Sequence, residues 1–284
     1  ADIHMLDGDQ LQAFLVEMQF NRPIYGRILD SLYERLHEAE QLGSLLRLEN
    51  EIENLVEQER KRYIKEGVQP DLFGVTQQLF ESEAADQEYW EMLSVQIGQS
   101  LDAYARHQAE TGKDQSFFIG ETTKGLRLLE VMTGSYDVVV TNPPYMSNRK
   151  MNSKLKKLVA SEYPEAKGDL YAAFIKRCME FAGKHGRVGM LTMHSFMFIS
   201  SYQRLRNFIA DKSSIDTVLH LGPALFEVGN PGTLQTAAYI LRMETDRQLH
   251  TQSTGTFIRL VKEKDGESKR FAFENALQSL RQNE

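Results

Sequence analysis

The chain has 284 residues, 41% of them hydrophobic and 26% charged, enough for one large domain or two small ones with a sizeable core. A formal charge of −7 speaks against a free-standing nucleic-acid binder, and a single cysteine, Cys178, excludes an internal disulfide and fits a reducing cytoplasm. No apolar run approaches the ~20 residues of a membrane span and no secretory signal opens the chain, so neither a membrane nor an export route is expected. The opening "ADIHM" reads as a cloning remnant rather than a natural start, and the chain is expected to be excised from a longer one.

Residues 1–110 hold 22 acidic and 9 basic side chains, whereas residues 111–284 hold 18 and 24. Two surfaces with different partners, or a solvated acidic helical layer beside a basic half, both account for that division. The first part reads as helix throughout. Ile28, Leu32, Leu36 and Ala39 recur at three- and four-residue steps, and Gly43 is placed to stop that helix. A second helix carries Ile52, Leu55 and Val56 on one face and ends before Gly67 and Pro70. A third runs from about Thr76 to Ala109 through Trp90, Leu93 and Ile97. No catalytic cluster stands out in this half.

After residue 110 helices and strands alternate. The helix "TTKGLRLLEVM" leads into the strand "YDVVVTN". The helix "DLYAAFIKRCMEFAGKHG" is expected to end at Gly186, and the strand "RVGMLTM" follows at once. Next come a helix around "SSYQRLRNFIADK" and the strands "DTVLHLG" and "LQTAAYILRM". Apolar strands alternating with helices predict an α/β fold with a largely parallel sheet covered on both faces. The last two strands lack a helix between them and are expected as an antiparallel pair at one edge.

The stretch "YDVVVTNPPYMSNRK", residues 136–150, drives an apolar strand into Asn142, Pro143, Pro144 and Tyr145. In an open α/β sheet, ligands sit beyond the carboxyl ends of strands. Successive prolines fix their own φ, push each preceding residue into extended geometry and remove two N–H donors. What remains is a stiff corner of acceptors beside an aromatic ring, suited to hold an amino group that lies against a flat ring. An ordinary strand-ending Pro-Pro turn is the bland alternative. His194 and Ser195 end the next strand without a visible acidic partner, and no histidine or cysteine spacing suggests a metal site.

"NPPY" after an apolar strand resembles the catalytic motif of methyltransferases acting on adenine N6 in DNA. The phrases "KGDLYAAFIKRCMEFAGKHGRVGMLTMHSFMF", "LHLGPALFEVGNPGTLQTAAYILR" and "EAEQLGSLLRLE" extend the likeness over roughly Leu11 to Met243. They resemble the large adenine-specific methyltransferases of phage defence, the PglX type of BREX systems and the related type IIG restriction-modification enzymes.

The resemblance implies the second half of a Rossmann-like methyltransferase sheet preceded by a helical region. It makes residues 1–110 a helical insertion, 111–250 the catalytic-motif half and 251–284 an extension toward a target-recognition domain. Asn142 and the Pro143 carbonyl would accept the N–H hydrogens of a flipped-out adenine, which would then attack the methyl of S-adenosylmethionine. Tyr145 would stack on one face of the base and Phe226 on the other, the alternative for Phe226 being a loop residue packed into the core. Asp169 and Tyr171 of "GDLY" would lie on the cofactor's side, although capping its helix is the first reading for Asp169. Arg149, Lys150, Lys154, Lys156 and Lys157 would grip the backbone of double-stranded DNA, or form a solvated face. Other defence-system subunits are possible partners under the same resemblance. The family's glycine-rich cofactor loop does not occur in the sequence, so this stretch is expected to be inactive on its own. A non-catalytic DNA-binding or scaffold subunit keeping the same fold is the second reading.

Overall fold

The computed structural model describes residues 42–47, 54, 131–132, 134–226, 234–244, 246, 250 and 252–282. The chain divides into two compact units, Ala1–Gly134 and Ser135–Glu284. In the first, Leu42 is helical and Gly43 follows with φ +55°, the left-handed conformation of a glycine stop. A 3-10 turn, Gly43–Leu45, comes next, with Leu45 and Leu46 buried. Apart from helical Asn54, Val131 and Met132, the other helices expected before residue 134 lie outside the described residues.

The second unit runs β1 (Tyr136–Thr141), α1 (Ser153–Glu162), α2 (Leu170–Phe181), β2 (Ala182–Met193), α3 (Gln203–Lys212), β3 (Ser213–Gly222), β4 (Thr236–Met243), β5 (Thr256–Arg259) and α4 (Gly266–Gln282). Its five-stranded sheet has the order β1-β2-β4-β3-β5. β1 pairs with β2 in parallel, as does β3 with β5, whereas β4 is antiparallel to both β2 and β3. The antiparallel β3–β4 pair matches the sequence pattern, but its place does not. β4 lies inside the sheet, between β2 and β3, and β5 takes the edge. Ala237, Tyr239 and Leu241 of β4 are all buried on one face, whereas Ile240 on the other is 40% exposed.

α2 and α3 lie against one face of the sheet, over Val188, Met190 and Thr192 of β2, Tyr239 and Leu241 of β4 and Val218 of β3. Ile175, Cys178 and Met179 of α2 and Leu205 and Ile209 of α3 are buried there. Each large apolar side chain so enclosed contributes about 1.5–3 kcal/mol relative to exposure. α2 begins at the Asp169 cap and ends at Phe181, earlier than the expected glycine stop at Gly186. The reason is pairing: Ala182 turns extended and joins β1 opposite Tyr136. Lys184, His185 and Gly186 instead form an irregular stretch of β2, in which His185 has φ +68°.

The other face meets α4 across a cleft of about 830 Å³ lined by Val140, Leu191, Leu219, Ile240, Phe273 and Leu277 among others. α4 starts in a reciprocal cap: Ser268 N–H donates to Asp265 Oδ1 at 2.8 Å and Asp265 N–H to Ser268 Oγ at 3.2 Å. Lys269 Nζ, buried, donates to the carbonyls of Leu260 and Glu263, tying the helix to the end of β5. β1 is apolar at three successive valines, yet Val138 is 62% and Val140 75% exposed. β1 is an edge strand here, and among the described residues its second face has no helix packed directly on it.

Because β1, β2, β3 and β5 all run the same way, their carboxyl ends share one margin of the sheet. Asn142, His194 and the segment from Gly222 to Phe226 arrive at that margin.

Candidate active site

β1 delivers Asn142 at its carboxyl end with the side chain exposed. Pro143 is buried, Pro144 exposed and Tyr145 half-buried. The rigid corner turns Tyr145 back on its own strand end. Its hydroxyl faces two acceptors, Asn142 Oδ1 at 3.0 Å and the Leu191 carbonyl of β2 at 3.2 Å. One proton serves both, so the hydroxyl bridges the corner to the neighbouring strand. Burial pushes the Tyr145 phenol up to about 12, so it remains a donor at any ordinary pH.

The chain beyond the corner is pinned to the start of α2. Leu170 N–H donates to the Met146 carbonyl at 2.9 Å and Asn148 N–H to the Gly168 carbonyl at 3.1 Å. Asp169 Oδ1 accepts from Met146 N–H at 3.1 Å and from Tyr171 N–H at 3.3 Å, so one carboxylate caps α2 and fixes the corner's exit. Burial raises the Asp169 pKa, and these backbone N–H groups work against that rise. Tyr171 is fully buried, its hydroxyl bonded to Ser195 Oγ at 2.7 Å and its ring edge-on to Tyr145 at 6.3 Å. Burial raises its pKa strongly. Phe196 and Tyr202 stand against Tyr171 in turn, so the corner rests on an aromatic cluster.

A family model described as Eco57I restriction-modification methylase matches residues 24–226. The chain belongs to this family. It is 34% identical over 154 residues to the adenine-specific methyltransferase PglX of Lacticaseibacillus casei (strain Zhang), covering 54% of the chain and 12% of that protein. It is also 34% identical over 112 residues to the adenine-specific methyltransferase BrxX of Escherichia coli O9:H4 (strain HS), covering 39% of the chain and 9% of that protein. The chain therefore spans about a tenth of these relatives' length. Among solved structures, a nuclease-deletion mutant of the type ISP restriction-modification enzyme LlaGI is similar with a TM-score of 0.42 and 14% identity, over 57% of this chain and 15% of that one.

In this Eco57I-family chain the structure brings Asn142, Pro143, Pro144, Tyr145, Asp169 and Tyr171 into one bonded assembly. Asp169 keeps part of its surface open, whereas Tyr171 stands in the wall with no exposed surface. Phe226 reaches the same margin of the sheet, half-buried, four residues past Gly222, but makes no ring contact with Tyr145. Residues 227–233 lie outside the described residues. Gly222 has φ +69°, and a Cβ there would meet the Val261 side chain at 2.8 Å, so only glycine turns the chain toward Phe226. Arg149 and Lys150 sit in the turn after Ser147. Lys154, Lys156 and Lys157 stand on the outer face of α1, opposite buried Leu155 and Val159. All five are exposed, and among the described residues none is ion-paired. Among the described residues no cluster of metal-ligating side chains exists, and no helix is long and apolar enough to cross a membrane.

The sequence did not suggest the partnership of His194 with His220, whose Nδ1 and Nε2 are 2.8 Å apart. Phe198, 59% exposed, stands against both rings. Burial lowers both histidine pKa values, and for His220 the neighbouring His194 and Arg259 charges lower it further. Each histidine ends or nears the end of a strand, but no spacing links residues 194 and 220. The sheet order, with β2 and β3 running the same way on either side of β4, brings them to one margin.

Proposed function

We propose that the protein carrying this chain is a DNA adenine-N6 methyltransferase of a phage-defence or restriction-modification system, and that the described residues form the side of its site that receives the base. The observation that carries this reading is the exposed Asn142 Oδ1 at the end of β1, held by the Tyr145 hydroxyl beside an aromatic ring. The exocyclic amine of adenine is a poor nucleophile because its lone pair is delocalised into the ring. Accepting its N–H hydrogens at Asn142 Oδ1 and the Pro143 carbonyl favours a tetrahedral nitrogen with its lone pair free, a form of transition-state stabilisation by fixed acceptors. A carbonyl oxygen has two lone pairs, so Asn142 can accept from Tyr145 and from the amine together. A base inside a duplex cannot reach this corner, so the adenine is flipped out, with Tyr145 and Phe226 as its stacking faces. S-adenosylmethionine, when bound, supplies the methyl group. Asp169 is the described residue that would touch it, with Tyr171 as the wall behind. Arg149, Lys150, Lys154, Lys156 and Lys157 are assigned to the phosphate backbone.

The test is transfer of a labelled methyl group to duplex DNA by the full-length natural form of the protein. Asn142→Ala is expected to lower the rate by about 10²–10³, the loss typical of removing one fixed transition-state partner. Retained activity in that variant would remove the role given to the corner. A wild-type protein that binds DNA and leaves adenine unmethylated would instead fit a scaffold subunit.

A further inference from the structure

Beside the corner, a separate pocket of about 420 Å³ opens between the loop that precedes α2 and the turn that precedes α3. Its walls include Asn148, Lys167, Gly168, Ser201, Tyr202 and Arg204. Lys167, Ser201 and Arg204 are exposed, and among the described residues neither cation forms an ion pair. The carboxylate on the wall, Glu165, is ion-paired to Lys176 and so leaves the two cations unopposed. Tyr202 is 8% exposed and lies over Gly168, where a Cβ would come within 3.0 Å of its hydroxyl. The pocket therefore has a fixed wall, neutral donors and a net positive charge.

We propose that this pocket seats a backbone phosphate of DNA, with Lys167 and Arg204 supplying the charge and Asn148 and Ser201 the neutral hydrogen bonds. Phosphate oxygens are commonly held by such a mixture of basic and neutral side chains. The seat lies within reach of the corner. Asn148 is six residues beyond Asn142, at most ~20 Å even for a fully extended chain. One strand of DNA advances ~3.4 Å along the axis per nucleotide, so the seated phosphate lies within about six nucleotides of the flipped base. The inference rests on DNA being the partner, but not on adenine being methylated. The basic run at 149–157 does not contain this site; the fold assembles it from residues 148, 167 and 201–204.

The test is fluorescence anisotropy of the full-length natural form of the protein with two short labelled duplexes, one rich in A·T pairs and one without them, over a salt series. Lys167→Gln with Arg204→Gln is expected to weaken both duplexes equally, roughly tenfold, and to reduce the slope of log K against log salt by about 0.9. Lys167→Arg with Arg204→Lys should restore the slope, because the charge is kept. Asn142→Ala should leave the slope as in the wild type, so loss of the adenine chemistry and loss of the seat read out separately. An unchanged slope in the glutamine pair overturns the seat while leaving DNA as the partner. No binding of either duplex by the wild type overturns both. Calorimetry with orthophosphate supplies the last arm: saturation of the pocket that leaves duplex affinity untouched would make it a small-anion site and overturn the assignment to DNA.

Discussion

Tyr145→Phe separates the two roles given to Tyr145, because it removes the hydroxyl and keeps the ring. The lost group is one O–H proton shared between Asn142 Oδ1 at 3.0 Å and the Leu191 carbonyl at 3.2 Å. A net hydrogen bond of this kind contributes about 0.5–1.5 kcal/mol, so urea denaturation of the variant should show a loss in that range. The ring remains against Tyr171, so stacking on the base is preserved. Asn142 loses its only side-chain tether among the described contacts and regains rotational freedom at an exposed position. The methyl-transfer rate should therefore fall by about two- to tenfold, which corresponds to the same ~0.5–1.4 kcal/mol. That is far less than the loss expected for Asn142→Ala, which removes the acceptor itself. The ratio of variant to wild-type rates should also be flat between neutral pH and about pH 9, because the phenol is pushed up to about 12 and stays protonated. Single-turnover rates on duplex DNA with the full-length protein provide the assay. An unchanged or faster rate would mean that the hydroxyl competes with the substrate amine rather than holding Asn142, and the positioning argument would be wrong.

Gly186→Ala should destabilise the chain by about 1–3 kcal/mol in urea denaturation. The new Cβ would lie 2.8 Å from the Tyr136 carbonyl oxygen and 3.0 Å from that of Gly183, both backbone atoms that cannot swing away; a change below ~0.5 kcal/mol would refute the crowding. At high pH the sign follows from Cys178, which burial pushes up to about 12 from an ordinary 9.0. The unfolded chain ionises first, so stability is intact below about pH 9 and is lost as pH rises from there toward 12. By about pH 10 the cysteine alone accounts for roughly 1 kcal/mol. Comparing urea midpoints at about pH 8 and about pH 10, the drop should be smaller in Cys178→Ala than in the wild type, and equal drops would exclude the thiol as the cause.

The corner was legible because its information is local. Two prolines, an amide and an aromatic ring follow an apolar strand, and backbone stiffness there needs no distant partner. The Asp169 cap was legible for the same reason, since a cap is a contact within three residues. What could not be read required the sheet order. The insertion of β4 between β2 and β3 depends on which strand offers an unpaired edge when the chain returns, and no periodicity encodes that. The β2-β4-β3 order brings His194 and His220 to one margin, and the β1–β2 pairing makes Tyr145 meet Leu191. "AGKHG" misled for a physical reason. A glycine after Lys and His is a sound helix stop, but the pairing of Ala182 with Tyr136 ended α2 four residues earlier and left those residues to adjust the strand.

That adjustment has a consequence at the other end of the sheet. From Tyr136 to Val138, β1 advances two residues, whereas its partner positions on β2 advance from Ala182 to Arg187. The surplus residues are absorbed by His185 in the left-handed region and by Gly186, which packs against the Tyr136 carbonyl too closely for any side chain. Beyond this irregularity the register is regular, and Thr141 stands opposite Met190. Leu191 is then the next residue of β2, just where the Tyr145 hydroxyl needs an acceptor. A register shifted by one residue would present the neighbouring position, whose side chain points to the opposite face, and the Leu191 carbonyl would no longer meet the corner. The position of the Tyr145–Asn142 pair is therefore set some five residues away, where β1 enters the sheet. Proline stiffness explains why the corner holds its shape, and the bulge in β2 explains why that shape is anchored to the right strand.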